Sequence, residues 1–315
     1  MNKFPDLRID NQWITSNRGK KNPVDPFRPY AYFVEKEYTG PGLIEDVSTI
    51  LLTNNECPFR CLMCDLWKNT TVKPVPPGAI PEQISFALSC LPPAKHLKLY
   101  NSGSFFDNRA IPGNDYQKIA SLIENFASVT VESHPAFINK NSLLFRDLIK
   151  PALKVAIGLE TIHPDILPRL NKKMDLADFE HAISYLTSHG ITTRAFILLR
   201  PPFLSEPEGI LWAKRSVDYA FRVGVATCII IPVRSGNGAL DALTAGNHFA
   251  QPDIQSLESV LEYGIGLEAG PVFADLWDID RFSSCDKCLE LRKERLIRMN
   301  LEQRYHPAVE CSCNG

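Results

Sequence analysis

No run of this 315-residue chain approaches the ~20 consecutive apolar residues a membrane-spanning helix needs, so no membrane segment and no membrane partner are expected. The first residues, Met1-Asn2-Lys3-Phe4-Pro5-Asp6, lack the apolar core of a signal peptide. A dominant charge is missing too: 34 Lys+Arg against 36 Asp+Glu give a net charge of −2. No global positive field grips a nucleic-acid backbone, which leaves only a local basic patch for such a partner. Internal repeats and long low-complexity tracts are absent. Nor is there the cysteine pattern of a secreted disulfide scaffold: of nine cysteines only Cys90 and Cys228 stand apart, and the rest fall in close metal-ligand spacings. That distribution suits a reducing compartment, and a cytoplasmic location is expected.

What is present is an alternation. Apolar or β-branched runs fall at 47–53, 96–101, 128–133, 154–159, 192–199 and 226–232. Between them lie segments of helical period, near 80–90, 114–126, 139–149, 175–188 and 207–222. Asp175 is placed to cap one of these and Gly190 to end it. Strands alternating with helices imply βαβ units around a parallel sheet. Residues 1–45, rich in Pro, Asn and charge, read as an extension with little regular structure and a short strand near 30–34. Residues 46–235 form the repeating core. Residues 236–315 form a C-terminal segment with a helix near 254–267, another over Leu289–Tyr305 and a second cysteine group.

The first group lies in Asn54-Asn55-Glu56-Cys57-Pro58-Phe59-Arg60-Cys61-Leu62-Met63-Cys64-Asp65, directly after the first strand. Cys57, Cys61 and Cys64 are spaced C-x3-C-x2-C, so three thiolates on one short loop can ligate three irons of a 4Fe–4S cluster. The fourth iron is then left for another ligand. Free thiols or part of a zinc site fit less well, because zinc usually takes four ligands in two separated pairs. The second group, Cys285-x2-Cys288 with Cys311-x-Cys313, supplies four thiolates, enough for structural zinc or an auxiliary 4Fe–4S cluster. Unligated cysteines in a frayed tail are the alternative.

The C-x3-C-x2-C loop after a strand resembles the radical S-adenosylmethionine (radical SAM) superfamily, over about residues 45–235. The resemblance implies an α/β fold, a partial (β/α)6 TIM-type barrel, here with an N-terminal extension and a small Cys-rich C-terminal segment. It implies a 4Fe–4S cluster on Cys57, Cys61 and Cys64 as the catalytic centre, with S-adenosylmethionine on the open iron. An electron from a reducing donor then yields a 5′-deoxyadenosyl radical. Met63 stands where the family often has an aromatic residue against the adenine; its polarisable side chain can also pack there. Asn101, Ser102, Gly103 and Ser104 match the family's glycine-rich segment after the second strand, though the usual paired glycines and glutamate are absent.

In parallel barrels the chemistry sits at the C-terminal strand ends. Glu132, a carboxylate in an apolar run, needs a partner, either a ligand ammonium or ribose or an arginine. His134 reads as a packed loop residue rather than a catalyst. Gly158 permits close approach of a ligand, and Glu160 is placed to accept from ribose hydroxyls. Arg194 and Arg200 are candidates for a carboxylate clamp or for pairing with Glu132 or Glu160. Arg234 and Asn237 are placed to face adenine or substrate. The segments around Tyr100–Phe105, Glu132–Pro135, Leu167–Lys172 and Arg200–Phe203 look most like the branch containing the Elongator catalytic subunit and the archaeosine-synthesis enzymes. That likeness makes a modified nucleoside or tRNA base a candidate substrate. The rival readings are an iron–sulfur electron-transfer or sensor protein, and a zinc protein without iron chemistry.

Overall fold

The computed structural model describes residues 7–313. At its centre is one eight-stranded sheet whose spatial order is its sequence order. β1 (Ala31–Gly40) and β2 (Leu43–Leu52) form an antiparallel hairpin. It turns at Pro41-Gly42, where Gly42 takes φ +70°, a value a side chain would resist. Every later neighbour is parallel: β3 (His96–Asn101), β4 (Ser128–Glu132), β5 (Ala152–Glu160), β6 (Thr192–Leu199), β7 (Thr227–Pro232) and β8 (Val272–Ala274). The sheet curls into a half-barrel with β1 and β8 as its two edges.

Helices connect the parallel strands: Ala79–Cys90, Tyr116–Leu122, Lys140–Leu148, Leu176–Ser188, Glu206–Arg222 and Ile254–Gly266. Asp175 does cap its helix, through a reciprocal pair with Asp178 in which each carboxylate accepts the other's backbone N–H at 2.9 and 3.0 Å. The two-residue period of the strands divides their side chains. On β5, Val155, Ile157 and Leu159 join the main core beneath the helices, while Ala156, Gly158 and Glu160 face the barrel interior. β6 does the same, with Ala195, Ile197 and Leu199 outward and Phe196 and Leu198 inward. Both faces are covered, which is why these strands read as nearly continuous apolar runs.

The region before residue 46 carries more regular structure than its composition suggests. A helix spans Asn11–Ser16, capped by Asp10, and β1 is a full ten-residue strand. The half-polar sequence of β1, with Glu35, Lys36, Glu37 and Thr39, belongs to a strand at a sheet edge. A seventh parallel strand, β8, follows the six expected ones. The last helix, Asp286–Glu302, packs on both β1 and β8 and so lies across the open side of the half-barrel. No helix of the described residues is long and apolar enough to cross a membrane.

Candidate active site

The loop that follows β2 carries Cys57, Cys61 and Cys64, and four separate parts of the chain hold it. Leu62 is fully buried, and its N–H donates to the Leu170 carbonyl at 2.8 Å. Asn171 donates to the Arg60 carbonyl at 2.7 Å. Asn237 donates to the Leu62 and Cys64 carbonyls at 2.8 and 3.2 Å. Phe59 stacks on His134 with ring centroids 3.9 Å apart. Next to the first cysteine, Glu56 is enclosed by Arg18, Lys21 and Arg60 at 2.8, 2.7 and 3.3 Å.

The loop forms one wall of a cavity of about 300 Å³ at the C-terminal ends of the parallel strands. Cys57, Cys61, Cys64 and Met63 line it, together with Ser102, Gly103 and Ser104 after β3, Glu132 and His134, Gly158 and Glu160, and Lys172. Phe196, Leu198 and Ile231 make it largely apolar, and Arg234 and Asp275 stand at its side. Gly103 lies so close to the loop that a Cβ there would sit 3.4 Å from the Cβ of Cys57.

Burial raises all three thiols, Cys61 to about 12. They ionise here only beside a strong positive charge, which is what iron provides. Their sulfurs are not gathered as the ligands of one ion would be. Among the described residues the one such group is Cys285, Cys288, Cys311 and Cys313. A donor set of three thiolates around a shared cavity suits a cluster better than a single metal. Asn101, 1% exposed, leaves both its side-chain oxygen and its nitrogen without a hydrogen-bond partner among the described residues; of the expected Asn101–Ser104 segment, Ser102, Gly103 and Ser104 line the cavity and Asn101 does not.

Glu132 is not paired with an arginine. It accepts the Asn101 N–H at 2.7 Å, and burial pushes its carboxyl up to about 8, against the Asn101 N–H and the more distant Lys172 charge. His134 is held neutral, lowered to about 4 chiefly by burial. Its Nε2 faces the Lys172 carbonyl at 2.9 Å, and its Nδ1 accepts the Ala136 N–H at 3.1 Å, so the proton belongs on Nε2. Glu160 binds Lys172, whose Nζ also donates to the Gly158 carbonyl at 2.6 Å. Gly158 is needed for that pair: a Cβ there would fall 2.1 Å from Glu160 Oε1 and 2.2 Å from Lys172 Nζ.

Several expected residues lie elsewhere. Arg200 does not line the cavity; its guanidinium is bound to Glu206 and to the Gln251 carbonyl at 2.6 Å. Arg194 reaches the opposite edge of the sheet and pairs with Glu37. Asn237 faces the loop backbone instead of a ligand. Lys172, at the end of the Leu167–Lys172 segment, and Asp275 line the cavity but are not among the site residues expected from the sequence; Asp275 binds Arg234 at 2.5 Å.

No family model matches the chain. An uncharacterized protein of Methanocaldococcus jannaschii is 24% identical over 94% of this chain and 87% of its own length. The archaeosine synthase subunit beta of Methanosarcina acetivorans is 25% identical over 71% of this chain and 69% of its own. Among solved structures, Elp3 of Methanocaldococcus infernus matches 80% of the chain with a TM-score of 0.53 and 13% sequence identity. The chain covers 63% of that Elp3, less than two thirds of its length. With a sheet that superposes on such a relative and a three-cysteine loop at the strand ends, the chain has the half-barrel fold of the radical SAM enzymes.

Proposed function

We propose that the protein is a radical SAM enzyme. One observation carries this reading: three half-buried cysteines of a C-x3-C-x2-C loop share a single cavity with the Ser102–Ser104 turn and with the carboxylates Glu132 and Glu160 at the ends of parallel strands. Cys57, Cys61 and Cys64 would hold a 4Fe–4S cluster and the rest of the cavity S-adenosylmethionine. When bound, the cluster supplies the electron that opens a C–S bond of that ligand.

The chain's own residues bind, orient and exclude water. Met63 offers an apolar surface to a base. Ser102, Gly103 and Ser104 bring a close-packed backbone beside Cys57. Burial favours the neutral form of Glu132, and an ammonium beside it would favour the carboxylate. Glu160 and Lys172 form a fixed polar wall. Arg200 takes no part, because Glu206 and Gln251 already hold it. Phe196, Leu198 and Ile231 keep water from a reactive carbon centre.

The substrate is an organic molecule that yields a hydrogen atom. The relative from Methanosarcina acetivorans, by its name, makes a modified nucleoside a reasonable first candidate, presented free or in tRNA. A reducing electron donor is required. Seven of the nine cysteines fall in close metal-ligand spacings, which suits a reducing, cytoplasmic setting.

The test is 5′-deoxyadenosine release from S-adenosylmethionine by anaerobically reconstituted, reduced protein, beside the Cys57→Ala, Cys61→Ala, Cys64→Ala variant. Release by the wild type alone is the expected result. A fully loaded cluster with no release, with and without tRNA or nucleosides, sinks the enzyme reading in favour of electron transfer or sensing.

A further inference from the structure

The second cysteine group lies far along the chain from the cavity and takes no part in it. Cys285 caps the N-terminus of the closing helix Asp286–Glu302, and Cys288 lies in its first turn. The chain returns at Cys311 and Cys313. The Cys285 and Cys311 sulfurs are 3.9 Å apart, those of Cys288 and Cys313 are 3.7 Å apart, and all four lie within 4.8 Å of one another. These spacings decide between the two kinds of metal centre. A tetrahedral ion with metal–sulfur bonds of about 2.3 Å separates its thiolates by about 3.8 Å. A cubane cluster has four irons and four sulfides between its ligands and spreads them roughly 6 Å apart. The four sulfurs match the single ion and leave no room for a cubane.

The surroundings suit four thiolates on a divalent ion, a centre of net charge −2. Two of the thiolates sit at the positive end of a seventeen-residue helix. The Arg292 Nε–H points at Cys288 Sγ at 3.3 Å, and the same guanidinium pairs with Glu258 on the helix Ile254–Gly266. The returning tail is tied by Arg295, which donates to the His306 and Pro307 carbonyls at 2.7 and 2.8 Å and pairs with Glu258 at 3.1 Å.

The helix so anchored closes the sheet. β8 is an edge strand, and two side-chain amides of the helix region bond its backbone as a neighbouring strand would. Asn300 accepts the Ala274 N–H and donates to the Ala274 carbonyl, at 2.8 and 2.9 Å. Gln303 does the same for Val272, at 2.8 and 2.9 Å. Asp275, which lines the cavity, follows directly on Ala274.

We propose that Cys285, Cys288, Cys311 and Cys313 hold one tetrahedral zinc ion rather than an auxiliary cluster. That ion fastens the closing helix across the open side of the half-barrel. The site is independent of the radical chemistry, so its test does not use activity. Zinc and iron are counted by elemental analysis in the Cys57→Ala, Cys61→Ala, Cys64→Ala variant, and zinc K-edge absorption gives the ligands. One zinc per chain with four sulfurs at about 2.3 Å, and no iron, is the expected result. About four irons per chain, or neither metal, overturns the assignment.

The fastening is read by hydrogen exchange on the wild type before and after zinc is stripped by a strong chelator, which needs no cysteine variant to fold. Exchange is expected to speed up at least tenfold over 286–303 and 272–274 and to stay unchanged over 152–160. Equal exchange in the two states overturns the fastening role. In an Asn300→Ala, Gln303→Ala variant that keeps its zinc, stripping the metal should no longer change exchange at 272–274; a zinc effect there as large as in the wild type would overturn the link from the ion to β8 through these two amides.

Discussion

Glu132 shows how far a single residue could be read. A carboxylate inside an apolar run signals an unusual environment, and the structure half-buries it in the cavity wall. Its partner is the backbone N–H of Asn101 at the end of the neighbouring strand β3, which no sequence pattern encodes. The raised carboxyl sets a pH dependence. Between its ordinary 4.5 and about 8, the folded chain keeps a proton that the unfolded chain has lost. Stability from this group is therefore fully present below 4.5 and falls as pH rises through about 8. Glu132→Gln keeps the shape and the neutral form, and should remove a slope on the order of 3 kcal/mol across that window. Urea titrations of both proteins at pH 5 and pH 8 check it; equal pH slopes would mean the carboxyl is already ionised in the folded state. Gly158 is the complementary case. Its type pointed to a close approach, and the groups that approach it are Glu160 and Lys172, with the cavity beside them.

At the scale of elements, the cysteine loop was legible and its supports were not. The spacing of Cys57, Cys61 and Cys64 is local, and a strand before it is a local signal. Asn171 and Asn237 act on the loop from 111 and 175 residues away, and no local pattern ties either of them to it. Asn237 read as a ligand contact because it follows the β7 end; instead its amide joins the Leu62 and Cys64 carbonyls while its oxygen accepts the Leu240 N–H at 2.7 Å. Such a buried, fully engaged amide stabilises by about 1–3 kcal/mol, since its loss strands three backbone groups. Asn237→Ala should fold, bind iron under anaerobic reconstitution, and lose it several-fold faster in air as the loop around Cys64 loosens. Iron loss at the wild-type rate would show that Leu62, Phe59 and Asn171 suffice to hold the loop. His134 belongs to the same support: stacked under Phe59 and neutral, it braces the loop, in line with a packing role rather than a catalytic one.

The whole molecule poses a problem that the alternation of strands and helices does not solve, namely how an open sheet keeps solvent from its interior. The six parallel strands were legible because both of their faces are buried. The closure was not, because it uses polar residues of β1 and a strand of three residues, β8, too short to stand out. Glu37 on β1 reaches into the half-barrel and takes Arg194 from β6 and Lys98 from β3. Arg194 also lies over the Phe273 ring on β8, 5.9 Å from its centre. Beside this network on β3 lies Tyr100, edge-on at 6.2 Å to Phe196, which lines the cavity. The ion pairs thus form a polar plug on the far side of the cavity from the cysteines.

Burial alone would raise the Glu37 carboxyl, but Arg194 and Lys98 overcome it and hold it at about 2. Its contribution is present above its ordinary 4.5 and is lost as pH falls through 2. Glu37→Gln leaves two buried cations facing a neutral amide, and should cost about 3–5 kcal/mol at neutral pH. Adding Arg194→Met should restore much of that loss, because the charge left unpaired in the first variant is gone and Lys98 keeps Glu35 at 3.0 Å. Urea unfolding of the two single variants and the double closes the cycle. A coupling of several kcal/mol makes the plug a cooperative unit spanning β1, β3 and β6. A coupling near zero would mean that β1 is held to the barrel by its hairpin with β2 and by the closing helix alone.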